Sequence, residues 1–352
     1  MKTAVLLSGG VDSSVALGLL AEQGHDLHAF YLKVWLEDEV AYLGDCPWEE
    51  DLQFVRAVCA LFDIPLTIVP LQTEYLDRVV SHALRELRSG RTPSPDIFCN
   101  ERIKFGAFFD CIDDSFTKVA SGHHAQIAQR NGDCVLKRGA DPIKDQTYFL
   151  SNLNQDQLAR TLFPIGHLHK SQVREIADRL KLPNRARKDS QGICFLGKIK
   201  YRDFIQFHLG TRPGDIVDQT STQRLGEHEG FWFYTIGQRF GLGLSGGPWY
   251  VADKDTERNV VYVVHRDQLE HSKRSSFSVR DINWISGFPH NDQLQVKIRH
   301  APELATCRIG RSSPNATLDV ELAEADPGIA SGQHAVFYDG DTCLGGGVIE
   351  RG

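Results

Sequence analysis

The chain has 352 residues, 41% hydrophobic and 24% charged, with a formal net charge of −7; these proportions fit a globular protein of two or three domains and exclude a disordered or fibrous one. No apolar run is long enough to span a bilayer, and Met1-Lys2-Thr3 lacks a secretory layout, so the cytoplasm is the expected location, with no membrane partner. The acidic balance does not advertise nucleic-acid binding, which depends instead on local basic groups: Arg85, Arg88 and Arg91, then Arg102 and Lys104, then Arg185, Arg187 and Lys188.

In chain order, Thr3-Ala4-Val5-Leu6-Leu7 reads as a buried strand, and Val15–Leu20 has helical spacing. Ser8-Gly9-Gly10-Val11-Asp12-Ser13-Ser14 is then a strand-to-helix turn. Its glycines let the backbone approach a ligand, and its Ser and Asp are placed to cap a helix whose N-terminus attracts anions. The turn has neither a Walker A ending nor a GxGxxG pattern. It resembles the PP-loop (SGGxDS) of ATP pyrophosphatases, which split ATP into AMP and pyrophosphate; a plain capped turn is the alternative.

Leu27–Leu32 and Pro65–Val69 read as further strands. Pro47 opens a helix with Leu52, Val55, Val58, Cys59 and Phe62 on its apolar face, and another helix covers about Tyr75 to Leu87. Lys118-Val119-Ala120 reads as a strand ending at Ser121-Gly122-His123. This alternation predicts a doubly wound parallel sheet with ligands at the C-terminal strand ends, where both loops fall. Asn131-Gly132 marks a hairpin over Gln126–Lys137, and Lys170–Lys181 reads as a helix. Beyond about residue 205, Phe231–Tyr234, Val260–Val264 and Leu294–Ile298 read as β-rich runs. The predicted organisation is an α/β ATP-binding and catalytic domain at 1–204, a small β-rich central domain at 205–274 and a C-terminal β-barrel at 275–352.

Eight cysteines form no CxxC pair, so no zinc ribbon or thioredoxin-like site is expected. Most, such as Cys59, are expected to be small buried hydrophobes. Two differ in setting. Pro93 and Pro95 stiffen the loop before Cys99, which is expected to open a helix near Arg102 and Lys104, a setting that lowers a thiol pKa. Asp96 lies three residues earlier and could act as base or ligand. Cys194 follows Arg187, Lys188 and the flexible Gly192. An ordinary half-buried Cys is the alternative in both loops. Two thiols beside an ATP-splitting loop suggest sulfur transfer: adenylation makes a carbonyl oxygen a leaving group, a persulfide attacks the carbon, and a second thiol resolves the product.

With these loops the chain resembles the tRNA-specific 2-thiouridylase family over nearly its whole length. The resemblance rests on Ser8–Ser14, Gly44–Trp48, Gly90–Asn100, Ile103–Gly106, Gly122-His123, Lys144–Leu150, Asp189–Phe195, Tyr234–Arg239, Pro248–Val251 and Cys343–Gly347. It implies 2-thiolation of the tRNA wobble uridine (U34), with AMP and pyrophosphate as products. Leu6, Leu7, Ser8, Gly9, Gly10, Val11, Asp12 and Ser13 would hold ATP phosphates, Leu32 and Gly122 would contact adenosine, and Mg2+ would accompany ATP, with no protein metal site assigned. Cys194 would carry a persulfide and Cys99 would resolve it, leaving a Cys99–Cys194 disulfide. Asp96, with Ser94 and Pro95, would face the target base. His123, Lys144, Asp145, Gln146, Arg299, His300 and Gln333 would touch tRNA. The implied partners are tRNAs of the Lys, Glu and Gln type, a cysteine desulfurase or relay protein as persulfide donor, and a reductant.

The chain departs from the commonest family pattern at Ser94, Gln191, His124 and Gly332, which puts fine contacts in doubt, while Asp96, Cys99 and Cys194 are all present. Phe98, Phe195 and His123 could stack near an unstacked base. Three alternatives stand beside this reading: a [4Fe-4S] cluster held by Asp96, Cys99 and Cys194, another ATP pyrophosphatase such as an amidotransferase-type ligase, and a non-catalytic tRNA-binding protein.

Overall fold

The computed structural model describes residues 2–34, 48–189, 200–311 and 317–350. Cys46, Gln191, Cys194 and Phe195 lie outside the described residues, so every expectation resting on them does too.

Strands β1 (Lys2–Leu6), β2 (Asp26–Lys33), β3 (Leu66–Pro70) and β4 (Phe116–Ala120) are joined by helices α1 (Val11–Glu22) and α2 (Trp48–Phe62) and by a helical stretch over 72–88. Next come a hairpin, β5 (Ala125–Arg130) and β6 (Asp133–Arg138), and a short β7 (Thr161–Leu162). Strand order in the first sheet is β3-β2-β1-β4-β7, with every pairing parallel. The chain leaves β1 toward β2 on one side and later enters β4 on the other. The crevice between β1 and β4 is therefore the switch point where such sheets bind ligands.

Alternation along β1 explains the layers. Val5 and Leu7 join Leu17, Val55, Val58 and Cys59 on one face, while Ala4 and Leu6 join Tyr75, Phe105 and Phe108 on the other. Cys59 is the buried hydrophobe expected, and burial pushes its thiol up to about 11.

The helix carrying Cys99 starts earlier than expected. Pro95 occupies its first turn and α3 spans Pro95–Cys99, with the coil continuing through a π-helical stretch, Asn100–Ala107. Proline is pre-set for a helix start, so Asp96, rather than Cys99, sits near the positive helix end. Helix α4 (Lys170–Arg179) matches the expected Lys170–Lys181 helix within two residues, and α5 (Tyr201–Leu209) follows.

The central sheet orders β8 (Gly214–Asp218), β9 (Arg224–His228), β10 (Trp249–Asp255) and β11 (Val260–His265) as β10-β11-β8-β9. Phe231–Phe233, expected in a β-run, is a short 3-10 turn instead; it follows Gly230 at φ 150°, which breaks the extended chain. The last region holds β12 (Arg274–Trp284), β13 (Gln293–Lys297), β14 (Ala305–Arg311), β15 (Leu318–Asp326), β16 (His334–Asp339) and β17 (Thr342–Glu350). The order β12-β15-β14-β13-β16-β17 closes through β12–β17 pairing into a six-stranded barrel.

The hairpin turns at Asn131 (φ 54°) and Gly132 (φ 93°), as a two-residue Asn-Gly turn requires. Its β6 pairs with β17, at Leu136 with Cys343 and Lys137 with Thr342. The hairpin thus extends the barrel sheet rather than the first one.

Candidate functional site

The loop after β1 is built around Gly9 and Gly10. Gly9 has φ 77° and Gly10 is the N-cap of α1, with no side-chain cap. The expected capping by Ser or Asp is therefore not what forms: Asp12 and Ser13 lie inside the first turn. The Gly10 carbonyl accepts from Ser13 Oγ (3.1 Å) and Ser14 Oγ (3.0 Å), while Ser8 Oγ and Ser13 Oγ are 3.3 Å apart. Buried Asn184 donates from Nδ2 to the Gly9 carbonyl (2.8 Å) and to Ser14 Oγ (2.9 Å), and Arg187 Nη1 donates to the same carbonyl (3.0 Å). Carbonyl oxygens are thus held on the protein side, and the first-turn N–H groups of α1 are left to face an anion.

Gly122, after β4, presses on this turn. A Cβ there would stand 2.5 Å from Ser13 N and 2.7 Å from the Asp12 carbonyl carbon. Only glycine lets the two strand-end loops meet so closely. Leu32, half-buried near the C-terminal end of β2, pairs with Val69.

Asp12 accepts from Lys170 Nζ at 2.6 Å and lies 3.6 Å from His124 Nε2. Burial works to raise its pKa, but His124 and Lys170 outweigh it and hold the carboxyl below the usual range. Lys170 also bonds Asp189 (2.8 Å), which pairs with Lys144 (2.7 Å) and Arg174. Burial opposes the ionised form of Asp189 too, and Lys144 and Lys170 overcome it, so its pKa is lowered well below the usual value. Sequence reasoning missed Lys170, Asn184 and the pairing of Asp189, and had Arg187 only as part of a basic cluster, not as a partner of the turn. Their signal, a polar residue on a helix or turn far along the chain, has no local pattern.

The second cluster joins the first domain to the barrel. Ser94 precedes α3 and interacts with the Tyr148 hydroxyl, which donates to the His334 carbonyl (3.1 Å). His300 Nε2 lies 3.4 Å from the Asp145 carbonyl, and its ring packs 4.5 Å from that of Phe149. Asp96, half-buried, acts electrostatically on His300. Arg299 forms two 2.8 Å bonds to Asp326, and Gln333 immediately precedes β16. Ser94, Pro95, Asp96, Arg299, His300 and Gln333 are thus gathered where α3, the Lys144–Leu150 stretch and the barrel meet. Cys99, 3% exposed, lies on α3.

Some expected contact residues are turned inward. Asp145 is 1% exposed; its carboxylate accepts from Lys297 (3.0 Å), Arg138 (3.0 Å) and Thr147 Oγ1 (2.7 Å). Gln146 Oε1 accepts from His124 N (2.9 Å). His123 bonds Ser121 Oγ (2.8 Å) beside Phe105 and Phe163, and burial, then Lys104, keeps it neutral. Phe98 is 4% exposed, against His82 at 4.4 Å and under the Arg102 guanidinium at 4.0 Å. Its ring is buried and carries Arg102 over it, so little of it is offered to a stacking base.

Among the described residues, no group of three His, Cys, Asp or Glu side chains could hold a metal ion. None of the described helices is long and apolar enough to cross a membrane.

Residues 1–198 match the family described as tRNA methyl transferase HUP domain, residues 202–265 its PRC-barrel domain, and residues 274–349 an aminomethyltransferase beta-barrel domain. The tRNA-specific 2-thiouridylase MnmA of Parabacteroides distasonis is 45% identical over 99% of this chain and 99% of its own length. MnmA 1 of Bacteroides thetaiotaomicron and MnmA of Porphyromonas gingivalis are each 42% identical, with all of both chains covered.

Proposed function

The chain belongs to the tRNA-specific 2-thiouridylase family, and we propose that it converts the wobble uridine (U34) of tRNA to 2-thiouridine at the expense of ATP. The observation that carries the reading is the turn after β1, with the first-turn N–H groups of α1 presented by a helix start that no side chain caps and its back closed by Gly122. Such a turn suits the phosphates of ATP.

On this reading Leu6–Ser13 hold ATP, with Leu32 and Gly122 at the adenosine. The uridine O2 attacks the α-phosphorus, pyrophosphate leaves, and C2 becomes electrophilic. The terminal sulfur of a Cys194 persulfide then bonds to C2. The Cys99 thiolate attacks Cys194 Sγ, the S–S bond breaks, and its electron pair stays on the sulfur at C2. Collapse to C=S expels AMP and leaves a Cys99–Cys194 disulfide. A reductant supplies two electrons to reopen it, and a persulfide donor protein reloads Cys194. Mg2+ would neutralise phosphate charge when bound with ATP; Asp12, held ionised although Lys170 already bonds one of its oxygens, would be the carboxylate the turn offers it. Asp96, with Ser94 and Pro95, would face the base, and Lys144, Arg299, His300 and Gln333 would line the RNA path.

The test is mass spectrometry of tRNA nucleosides after incubation with ATP, a persulfide donor (a cysteine desulfurase with cysteine) and a thiol reductant, without added sulfide, for wild type and Cys194→Ala. Wild type should form 2-thiouridine and AMP, and the variant should form no thiouridine. Full thiolation by Cys194→Ala would remove Cys194 from the reaction. A methylated nucleoside formed without ATP would favour the activity named in the matched family descriptions. A broad iron–sulfur absorption band in anaerobically purified protein, lost in Cys99→Ala, would replace the persulfide by a cluster.

A further inference from the structure

A cleft of about 590 Å³ opens between the Cys99 helix and the barrel, within the usual size range of small-molecule sites. It does not include the Ser8–Ser14 turn or Cys99. Phe98, Glu101 and Arg102 line it from one side of the helical coil; they are three and four residues apart and share a face. Asp96 and Cys99, also three apart, share a different one. The same logic holds on the barrel: His334 lines the cleft, whereas Gln333, the residue before it, does not.

The lining is rich in donors. Arg78, Arg102 and Arg280 converge with His82 and His334, against two carboxylates, Glu101 and Asp281. Arg78 is exposed, and among the described residues no carboxylate pairs with it. Arg102 sits over the Phe98 ring, pairs with Glu101 at 3.8 Å, and donates from Nη1 to the Arg78 carbonyl (2.9 Å), which ties the two cationic residues together. Arg280 bridges Glu350 at 2.9 Å and Asp281. His334 is 1% exposed, and its Nδ1 has no hydrogen-bond partner; neither has Asn152 Oδ1, also in the lining. Burial first, then His82, Arg102 and Arg280, push His334 down to about 3. Arg102 and Arg280 are the charged groups acting on its ring; both already have carboxylate partners, so the positive charge left for a ligand is that of Arg78.

We propose that this cleft is a second phosphate-recognition site, distinct from the nucleotide turn, in which Arg78, Arg102 and Arg280 take a phosphate ester or its pyrophosphate analogue. Planar guanidinium groups suit phosphate oxygens, and the neutral imidazoles supply hydrogen bonds without competing charge. The phosphate can come from an RNA backbone or from a free nucleotide or pyrophosphate.

Two titrations separate these sources, using the full chain and Arg78→Glu, with His334→Gln as a second variant. In the first, a labelled tRNA transcript is titrated by fluorescence anisotropy at several salt concentrations. In the second, sodium pyrophosphate is titrated calorimetrically. For an RNA backbone, affinity for the transcript falls about tenfold in Arg78→Glu and the salt slope drops by roughly one. For a free phosphate ester, wild type shows two pyrophosphate sites and Arg78→Glu shows one. Unchanged RNA affinity together with an unchanged pyrophosphate stoichiometry in both variants overturns the proposal. Arg78 is exposed and outside the nucleotide turn, so loss of ATP binding in Arg78→Glu would also count against a separate site.

Discussion

Gly122 makes no hydrogen bond that defines the site, yet it sets the distance between the two loops. A methyl group there meets backbone atoms of Asp12 and Ser13 at 2.5–2.7 Å, and backbone cannot swing aside as a flexible side chain can. Gly122→Ala is expected to lower ATP affinity at least tenfold and to cost about 1–3 kcal/mol of stability; calorimetric titration with ATP and a urea melt would check both. ATP affinity equal to wild type would separate Gly122 from the nucleotide turn. His334 gives a pH prediction. Its pKa is depressed in the fold to about 3, so the unfolded chain binds its proton first as pH falls. Its contribution is complete above the ordinary histidine value near 6.5 and is lost progressively between there and about 3. His334→Gln should flatten the dependence of melting temperature on pH between about 6.5 and 4.

Acid acts on Asp12 and Asp189 at lower pH and with the same sign. Both pKa values are lowered in the fold, so the stability they confer is present above the ordinary aspartate value and lost as pH falls through the folded values. Asp189→Asn should shrink the acid-side loss and detach Lys144 and Lys170 from a common partner. Melting curves from neutral pH down to about 3 would read this; an identical acid limb in the variant would count against the network.

Among the elements, the Lys144–Leu150 stretch joins the ATP-binding sheet to the barrel. Its Asp145 carries the only wholly buried ion pair among the described residues, with Lys297 of β13. Removing one partner leaves an uncompensated buried charge. Asp145→Asn is therefore expected to cost about 3–5 kcal/mol, seen as a large drop in melting temperature. A variant as stable as wild type would return Asp145 to the surface role its motif implied. The α3 segment shows how one residue shifts an inference: Pro95 starts the helix four residues before Cys99. Asp96 takes the place near the helix dipole, and Cys99 is left in the buried body of the coil.

At the scale of the whole molecule, one hydrophobic cluster spans the first domain and the barrel, beside clusters that belong to each alone. Phe105, Leu136 and Tyr148 pack in the same cluster as Val336, Tyr338 and Cys343. The β6–β17 pairing continues that union through the sheet. The two regions should unfold together, with coincident far-ultraviolet and tryptophan-fluorescence transitions in urea. Tyr338→Ala, from a fully buried position, should cost about 3–5 kcal/mol and shift both probes equally. Separate transitions would show the domains to be independent.

Much of this was legible in residue order alone. The parallel sheet follows from alternating strand and helix periods, the hairpin from Asn131-Gly132, and the turn after β1 from its two glycines, because each depends on neighbours a few positions apart. The family, too, could be read from the linear order of Ser8–Ser14, Gly90–Asn100 and Asp189–Phe195. Tertiary structure decided which polar groups face inward and which loops meet. Asp145 is spent on Lys297, Lys170 on Asp12, and Asn184 on the Gly9 carbonyl, partners from 152 to 175 positions apart. Burial and long-range pairing carry no local period, so residue types alone could not tell a group offered to a ligand from one consumed by the fold.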